Sequence, residues 1–169
     1  MEILKKKPDI HTISLLVANK PGVLVRVAQV FARRGFNIDS LVVSATMNPK
    51  FSRMTITAQG DPGTLDQIIK QAGKLIDVIH SSEHTGIDSI TQEFALVKVK
   101  YTSRNKAALL KLVKKFRATV EDDRQSTMIV GQTGTTQKLD EFEGLLKMFG
   151  VIEIVRSGKL VMAIGREAT

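Results

Sequence analysis

The stretch ANKPGVLVRV, residues 18–27, carries the most informative chemistry in the chain. Pro21 fixes a turn, and Gly22 admits the close approach of backbone or ligand. If a helix starts at Val23, the N–H groups of Gly22, Val23 and Leu24 stand free at the positive end of its dipole and make an anion site. A small carboxylate fits there. Asn19, just upstream, offers donors and an acceptor for the two charged groups of an amino acid. The same residues also make an ordinary tight turn, and the stretch by itself leaves both readings open.

Other candidate chemistries fare worse. His11, His80 and His84 lack a metal-ligand spacing such as H-E-x-x-H, so no metal site is expected. GQTGTTQK, residues 131–138, lacks the G-x-x-x-x-G-K-[ST] pattern of a phosphate loop and reads as a strand-to-helix turn capped by threonine. Glu121, Asp122 and Asp123 read as a solvated strand end, and Lys111, Lys114 and Lys115 as a solvated helix face. No nucleophile stands with a recognisable base, so no catalytic residue is assigned.

Arg34-Gly35-Phe36 matches the opening of the aromatic signature of RNA-recognition domains. That signature works on the third strand of its domain, whereas here Gly35 is expected to end the first helix and Phe36 to enter the second strand. Asn37 also breaks the pattern. With one Tyr and no Trp in the chain, a base-stacking sheet has little to stack with, and no nucleic-acid partner is expected.

Charge points the same way. The net formal charge is +8, but 11 basic and 7 acidic residues lie in 1–84, and 14 and 10 in 85–169, so each half carries +4. A surface that tracks phosphates needs a concentrated stripe; an even spread serves solubility. The absence of cysteine removes disulfides, thiolate nucleophiles and sulfur-ligated metals, in keeping with a cytoplasmic location. MEILKKKPDIHTISLLVANK is too interrupted for a signal peptide, and no window approaches the roughly 20 apolar residues of a spanning helix.

The elements that would position these residues follow from periodicity. HTISLLVA reads as a strand ending at the turn NKPG. VLVRVAQVFARRG places Val23, Leu24, Val27, Val30 and Phe31 at helical spacing, with Gly35 as the stop. NIDSLVVSAT and SRMTITAQ form a hairpin around MNPKF, TLDQIIKQAGKLI a second helix, and DVIHSS a short strand. After SEHTGIDSITQ, read as a linker, the order recurs: strand EFALVKVKY, helix RNKAALLKLVKKF, strands ATVEDD and STMIVGQ, helix TQKLDEFEGLLKMFG. VIEIVRSGKLVMAIGR closes as two strands across a Ser157-Gly158 turn. The expected fold class is α+β, two ferredoxin-like βαββαβ sandwiches spanning 1–84 and 85–169, with topology repeated and letters not.

NKPGVLVRVAQVFARRGFNIDSLVVSAT, followed by FSRMTI and KLIDVI, resembles the small regulatory subunit of acetolactate synthase, also called acetohydroxyacid synthase. In the second half EFALVKV, LDEFEGLLKMFGVIEIVRSG and AIGR fall where that family has comparable segments. The resemblance implies an N-terminal ACT domain and a chain without chemistry or cofactor of its own. It implies a large catalytic partner that carries thiamine diphosphate, Mg and FAD, is activated by this chain, and is made sensitive to valine feedback in branched-chain amino acid biosynthesis. In the family, ACT domains pair and the effector sits between two copies. Carried onto this sequence, one copy contributes Asn19, Gly22, Val23 and Leu24, and the facing copy Asn37 and Ile38. Val25 departs from the small or polar residue often found there in valine-responsive members. The alternatives are a stand-alone ACT-type amino-acid sensor or a regulator that binds nucleic acid; an appended helix-turn-helix or a clustered basic face would mark the latter, and neither is present.

Overall fold

The structure, a computed structural model, describes residues 10–166 and 169, so residues 1–9 of the stretch read above against a signal peptide lie outside it. Within one compact unit, running up to Thr91 and rejoined from Lys159 onward, come β1 (Ile10–Ala18), α1 (Val23–Arg33), β2 (Ser40–Ala45), β3 (Phe51–Gln59), α2 (Pro62–Ala72) and β4 (Val78–His84). A second unit, Gln92–Gly158, holds most of β5 (Ser89–Lys100), then α3 (Lys106–Phe116), β6 (Thr119–Arg124), β7 (Thr127–Gly134), α4 (Thr136–Leu146), a 3-10 turn (Lys147–Phe149) and β8 (Val151–Arg156). A last strand, β9 (Leu160–Ala163), follows. Both sheets are antiparallel, with the same order: β2-β3-β1-β4 in one and β6-β7-β5-β8 in the other. Even the irregularities repeat, since β1 shifts register against β4 between Leu16 and Val17, and β5 against β8 between Lys98 and Val99. The two α+β sandwiches expected from periodicity are present.

Period two sorts each strand. Ile13, Leu15 and Val17 of β1 and Met54 and Ile56 of β3 turn to one face, where they meet Val23, Val27 and Phe31 of α1 and Leu65 and Ile68 of α2. The second unit buries Val97, Val99, Met128 and Val130 against Leu109, Val113 and Phe116 of α3 and Phe142 and Leu146 of α4. The rings of Phe116 and Phe142 lie 5.1 Å apart at a tilt of 41°.

Helix ends obey local chemistry. The Asp61 carboxylate accepts from Thr64 N–H at 2.8 Å ahead of Pro62, and those bonds hold its pKa down. Thr135 caps α4 through Lys138 N–H at 3.4 Å, as read from GQTGTTQK. Gly35, at φ +71°, closes α1: its N–H reaches Ala32 O at 3.0 Å and Phe36 N–H reaches Phe31 O at 3.1 Å. The same closure ends α3 through Ala118 N–H on Val113 O at 2.9 Å, but the left-handed position there is Arg117, at φ +56°. Glycine relieves that strain, so Arg117→Gly is expected to stabilise the protein by about 1 kcal/mol in urea unfolding.

Three boundaries differ from the sequence reading. SEHTGIDSITQ is no open linker, because β4 extends to His84 and β5 starts at Ser89. The last two strands do not pair with each other: β8 and β9 each pair with β5, and Ile164 N–H donates to Asp88 O at 2.9 Å. Ser157 and Gly158, the glycine at φ +80°, do lie in the break between the two strands, but the strand partner was chosen by register, which local letters do not carry. Phe36 and Asn37 precede β2 rather than enter it, since β2 starts only at Ser40 and Phe36 N–H is spent on closing α1.

Candidate functional site

The loop from Ala18 to Val23 is anchored on both sides. Ala18 N–H donates to Asp77 O at 2.8 Å and Asn19 N–H to Lys50 O at 2.8 Å. The Asn19 side chain fastens the loop to the β2–β3 turn, with Nδ2 donating to Pro49 O at 3.0 Å. Arg26, one turn into α1, donates from Nη2 to the Asp77 carboxylate at 2.6 Å. The loop is therefore held rigid by the turn that leads into β4 and by the β2–β3 turn before any ligand arrives, which lowers the ordering entropy that binding would cost.

Gly22 takes the cap position of α1 at φ +82°, a left-handed conformation, and no side chain caps the helix. Val23 N–H makes a long contact of 3.4 Å to Lys20 O. Among the described residues the N–H groups of Gly22, Leu24 and Val25 have no acceptor in the protein. Unpaired N–H groups converging at a helix start favour an anion. The Val23 side chain is spent on the core at 2% exposure, whereas Leu24 and Val25 stand out at 41% and 58%. With its Nδ2 committed to Pro49, Asn19 keeps Oδ1 to offer, an acceptor suited to an ammonium.

Asn37 and Ile38 lie elsewhere. They follow the C-terminal end of α1, with Asn37 exposed and Ile38 half-buried against the first core. The intervening helix Val23–Arg33 is about 16 Å long at 1.5 Å per residue. One copy of the chain thus does not bring the two groups together: Asn19, Gly22, Val23 and Leu24 form one cluster, Asn37 and Ile38 another. Lys50, Pro49, Arg26 and Asp77, which fasten the loop, went unnoticed in the sequence because their partners are separated by dozens of residues.

The residues set aside on sequence grounds have local partners. Asp123 pairs with Lys106 at 2.6 Å and accepts from Tyr101 Oη; Asp122 pairs with Arg124 at 2.5 Å. Among the described residues no group of His, Asp and Glu is arranged to hold a metal ion, and no helix is long and apolar enough to cross a membrane. His11 meets Glu83 at 2.5 Å. His84 sits on the opposite sheet face, with Nε2 2.8 Å from Ser14 Oγ and 3.1 Å from Ser82 Oγ. Burial lowers its pKa, and Arg53 and His80 add to that, against Asp88 which raises it. A histidine held neutral by the fold contributes stability above its unfolded pKa of about 6.5 that is lost as pH falls below it. Urea midpoints are therefore expected to drop between neutral pH and mildly acidic pH, and His84→Gln to flatten that drop.

Two family models match the chain, one described as "AHAS small subunit-like ACT domain" over residues 13–80 and one as "Small subunit of acetolactate synthase" over residues 92–166. A probable acetolactate synthase small subunit of Archaeoglobus fulgidus is 41% identical over 157 residues, covering 93% of this chain and 98% of its own. The acetolactate synthase small subunit of Mycolicibacterium smegmatis is 41% identical, covering 92% and 91%. In structure, the chain is similar to the small subunit of acetolactate synthase from Thermotoga maritima, with a TM-score of 0.84 and 37% identity over 94% of this chain and 99% of that one.

Proposed function

Since the chain belongs to the family of acetolactate synthase small subunits, with an ACT domain as its first unit, we propose that it is the regulatory subunit of that enzyme in branched-chain amino acid biosynthesis. It performs no chemistry itself. It activates a large catalytic subunit, the carrier of thiamine diphosphate, Mg and FAD, and confers feedback inhibition by valine bound between two ACT domains, in the cytoplasm.

The observation that carries this reading is the placing of two half-sites at opposite ends of α1. The first has unpaired N–H groups at Gly22 and Leu24 for a carboxylate and Asn19 Oδ1 for an ammonium. The second has the Asn37 amide and the apolar flank of Ile38. A homodimer that sets the first half of one copy against the second half of the other completes an amino-acid site twice. Strand order leaves β2 at the edge of its sheet, with Val43 42% exposed, and an open edge strand is a ready surface for such pairing. Discrimination of valine from leucine then comes from pocket volume, where one methylene decides about 1–3 kcal/mol.

Regulation follows from linkage. Valine changes catalytic output only by its differential affinity for the two arrangements of the dimer, and the catalytic subunit reciprocally changes the affinity for valine. The test is reconstitution with the large subunit. Activity that rises on adding this chain and falls on adding valine supports the proposal. An unaltered rate without valine refutes activation, and a rate indifferent to valine refutes the effector assignment.

A further inference from the structure

The second unit repeats the clasp that anchors the loop of the first. There Asn19 N–H fastened the loop after β1 to the β2–β3 turn; here Tyr101 N–H fastens the loop after β5 to the β6–β7 turn, on Ser126 O at 3.0 Å. Beside this second clasp lies a cleft of about 270 Å³. That falls just below the roughly 300–1,000 Å³ usual for small-molecule clefts, a volume for a ligand of amino-acid size.

Phe149, 9% exposed, and Tyr101 supply the apolar lining; Lys100, Asn105, Gln125 and Ser126 supply the polar rim. Donors dominate that rim. Asn105 Oδ1 is taken by Thr102 N–H at 2.6 Å, which leaves its Nδ2–H groups. Among the described residues neither Nδ2, the Lys100 ammonium nor the Gln125 amide nitrogen has an acceptor. The carboxylate close by in the fold is already committed: Asp123 holds Lys106 at 2.6 Å and accepts from Tyr101 Oη. Gln125 and Ser126 hold left-handed conformations, φ +54° and +58°, as the two central residues of the tight hairpin turn that joins β6 to β7.

We propose that this cleft is a second small-molecule site, one that takes a monocarboxylate with a compact apolar body. The carboxylate meets Lys100 and Asn105, and the apolar body lies on Phe149 and Tyr101. The site lies wholly within the second unit and needs neither the ACT dimer nor the effector chemistry proposed for it.

The experiment is a titration of the full chain, followed through its backbone amide NMR signals, with isobutyrate, 2-oxoisovalerate and valine, against inorganic phosphate and AMP. At least one of the three carboxylates is expected to move the amides of Tyr101, Thr102, Asn105 and Ser126 at millimolar concentration. Lys100→Met, a change on an exposed side chain, is expected to weaken that response about fivefold, or roughly 1 kcal/mol, while Gly22→Asp leaves it unchanged. No movement of these amides, equal movement with phosphate, or a response that survives Lys100→Met overturns the proposal. Movement confined to Asn19–Leu24 overturns it as well and leaves the effector site standing.

Discussion

Replacing Gly22 by aspartate is expected to raise the valine concentration for half-inhibition of the reconstituted enzyme at least about tenfold, the equivalent of roughly 1.4 kcal/mol of binding. Two effects act together. A side chain at φ +82° strains a backbone that only glycine adopts freely, by about 1–2 kcal/mol. A carboxylate there also lies against the unpaired N–H groups of Leu24 and Val25, fills their need for an anion and repels the effector's own carboxylate. Gly22→Ala separates the two, because a Cβ at this position comes 3.2 Å from the Arg26 Nη1, the far end of a side chain free to move. Alanine should therefore cost stability with a smaller loss of valine response.

Asn37→Ala should give the same loss from the other end of α1. The decisive measurement mixes the variants. A dimer with Gly22→Asp in one copy and Asn37→Ala in the other carries both lesions in one site and none in the second. Half of the sites should recover the parent's affinity for valine in the mixed dimer, whereas in each pure variant both sites stay weakened. Absence of recovery would mean that Asn19–Leu24 and Asn37–Ile38 do not meet across copies.

The largest effect on stability is expected at Arg156. Glu93, 5% exposed, lies in β5 near the start of the second unit, and its carboxylate receives Nε of Arg156 at 3.1 Å, Nη2 at 2.5 Å and the Thr136 hydroxyl. Nη1 of the same guanidinium reaches Asp140 at 2.6 Å and Glu143 at 3.6 Å. One cation thus ties β8 to β5 and to α4, with three carboxylates around it. Burial raises the pKa of Glu143, followed in effect by Arg156 which lowers it. Arg156→Met removes the only basic group bonded to Glu93 among the described residues and leaves a buried carboxylate beside two others. Breaking a buried pair on one side costs about 3–5 kcal/mol, and a loss near 3 kcal/mol is expected in urea unfolding at neutral pH. Glu93→Gln in the Arg156→Met background should restore part of it, since a neutral amide keeps the Thr136 bond without the stranded charge. A variant as stable as the parent would show that the pair contributes nothing net.

Much of the fold was legible in the chain because it depends on neighbours. The 3.6-residue spacing of Val23, Val27 and Phe31 buried one stripe of α1, Gly35 stopped it, and Thr135 began α4. Alternation in SRMTITAQ put Met54 and Ile56 on the core side. The glycine turn and the free N–H groups ahead of α1 were equally local, and so was the resemblance that identified the family.

Tertiary structure alone decided what depends on partners far apart in sequence. Residues from the turn before β4 and from the β2–β3 turn fix the Asn19 loop, and the pairing of β8 and β9 with β5 instead of each other is a matter of register. Glu93 and Arg156 stand 63 positions apart and meet only because Ala95 and Arg156 fall opposite each other in the β5–β8 ladder. Helical and strand periodicity are written in the chain because each residue's φ and ψ are set within a turn or a pleat. The separation of Asn19 and Gly22 from Asn37 and Ile38 by the length of α1 is a distance through space, and it is the physical reason that one copy does not bring the two groups together.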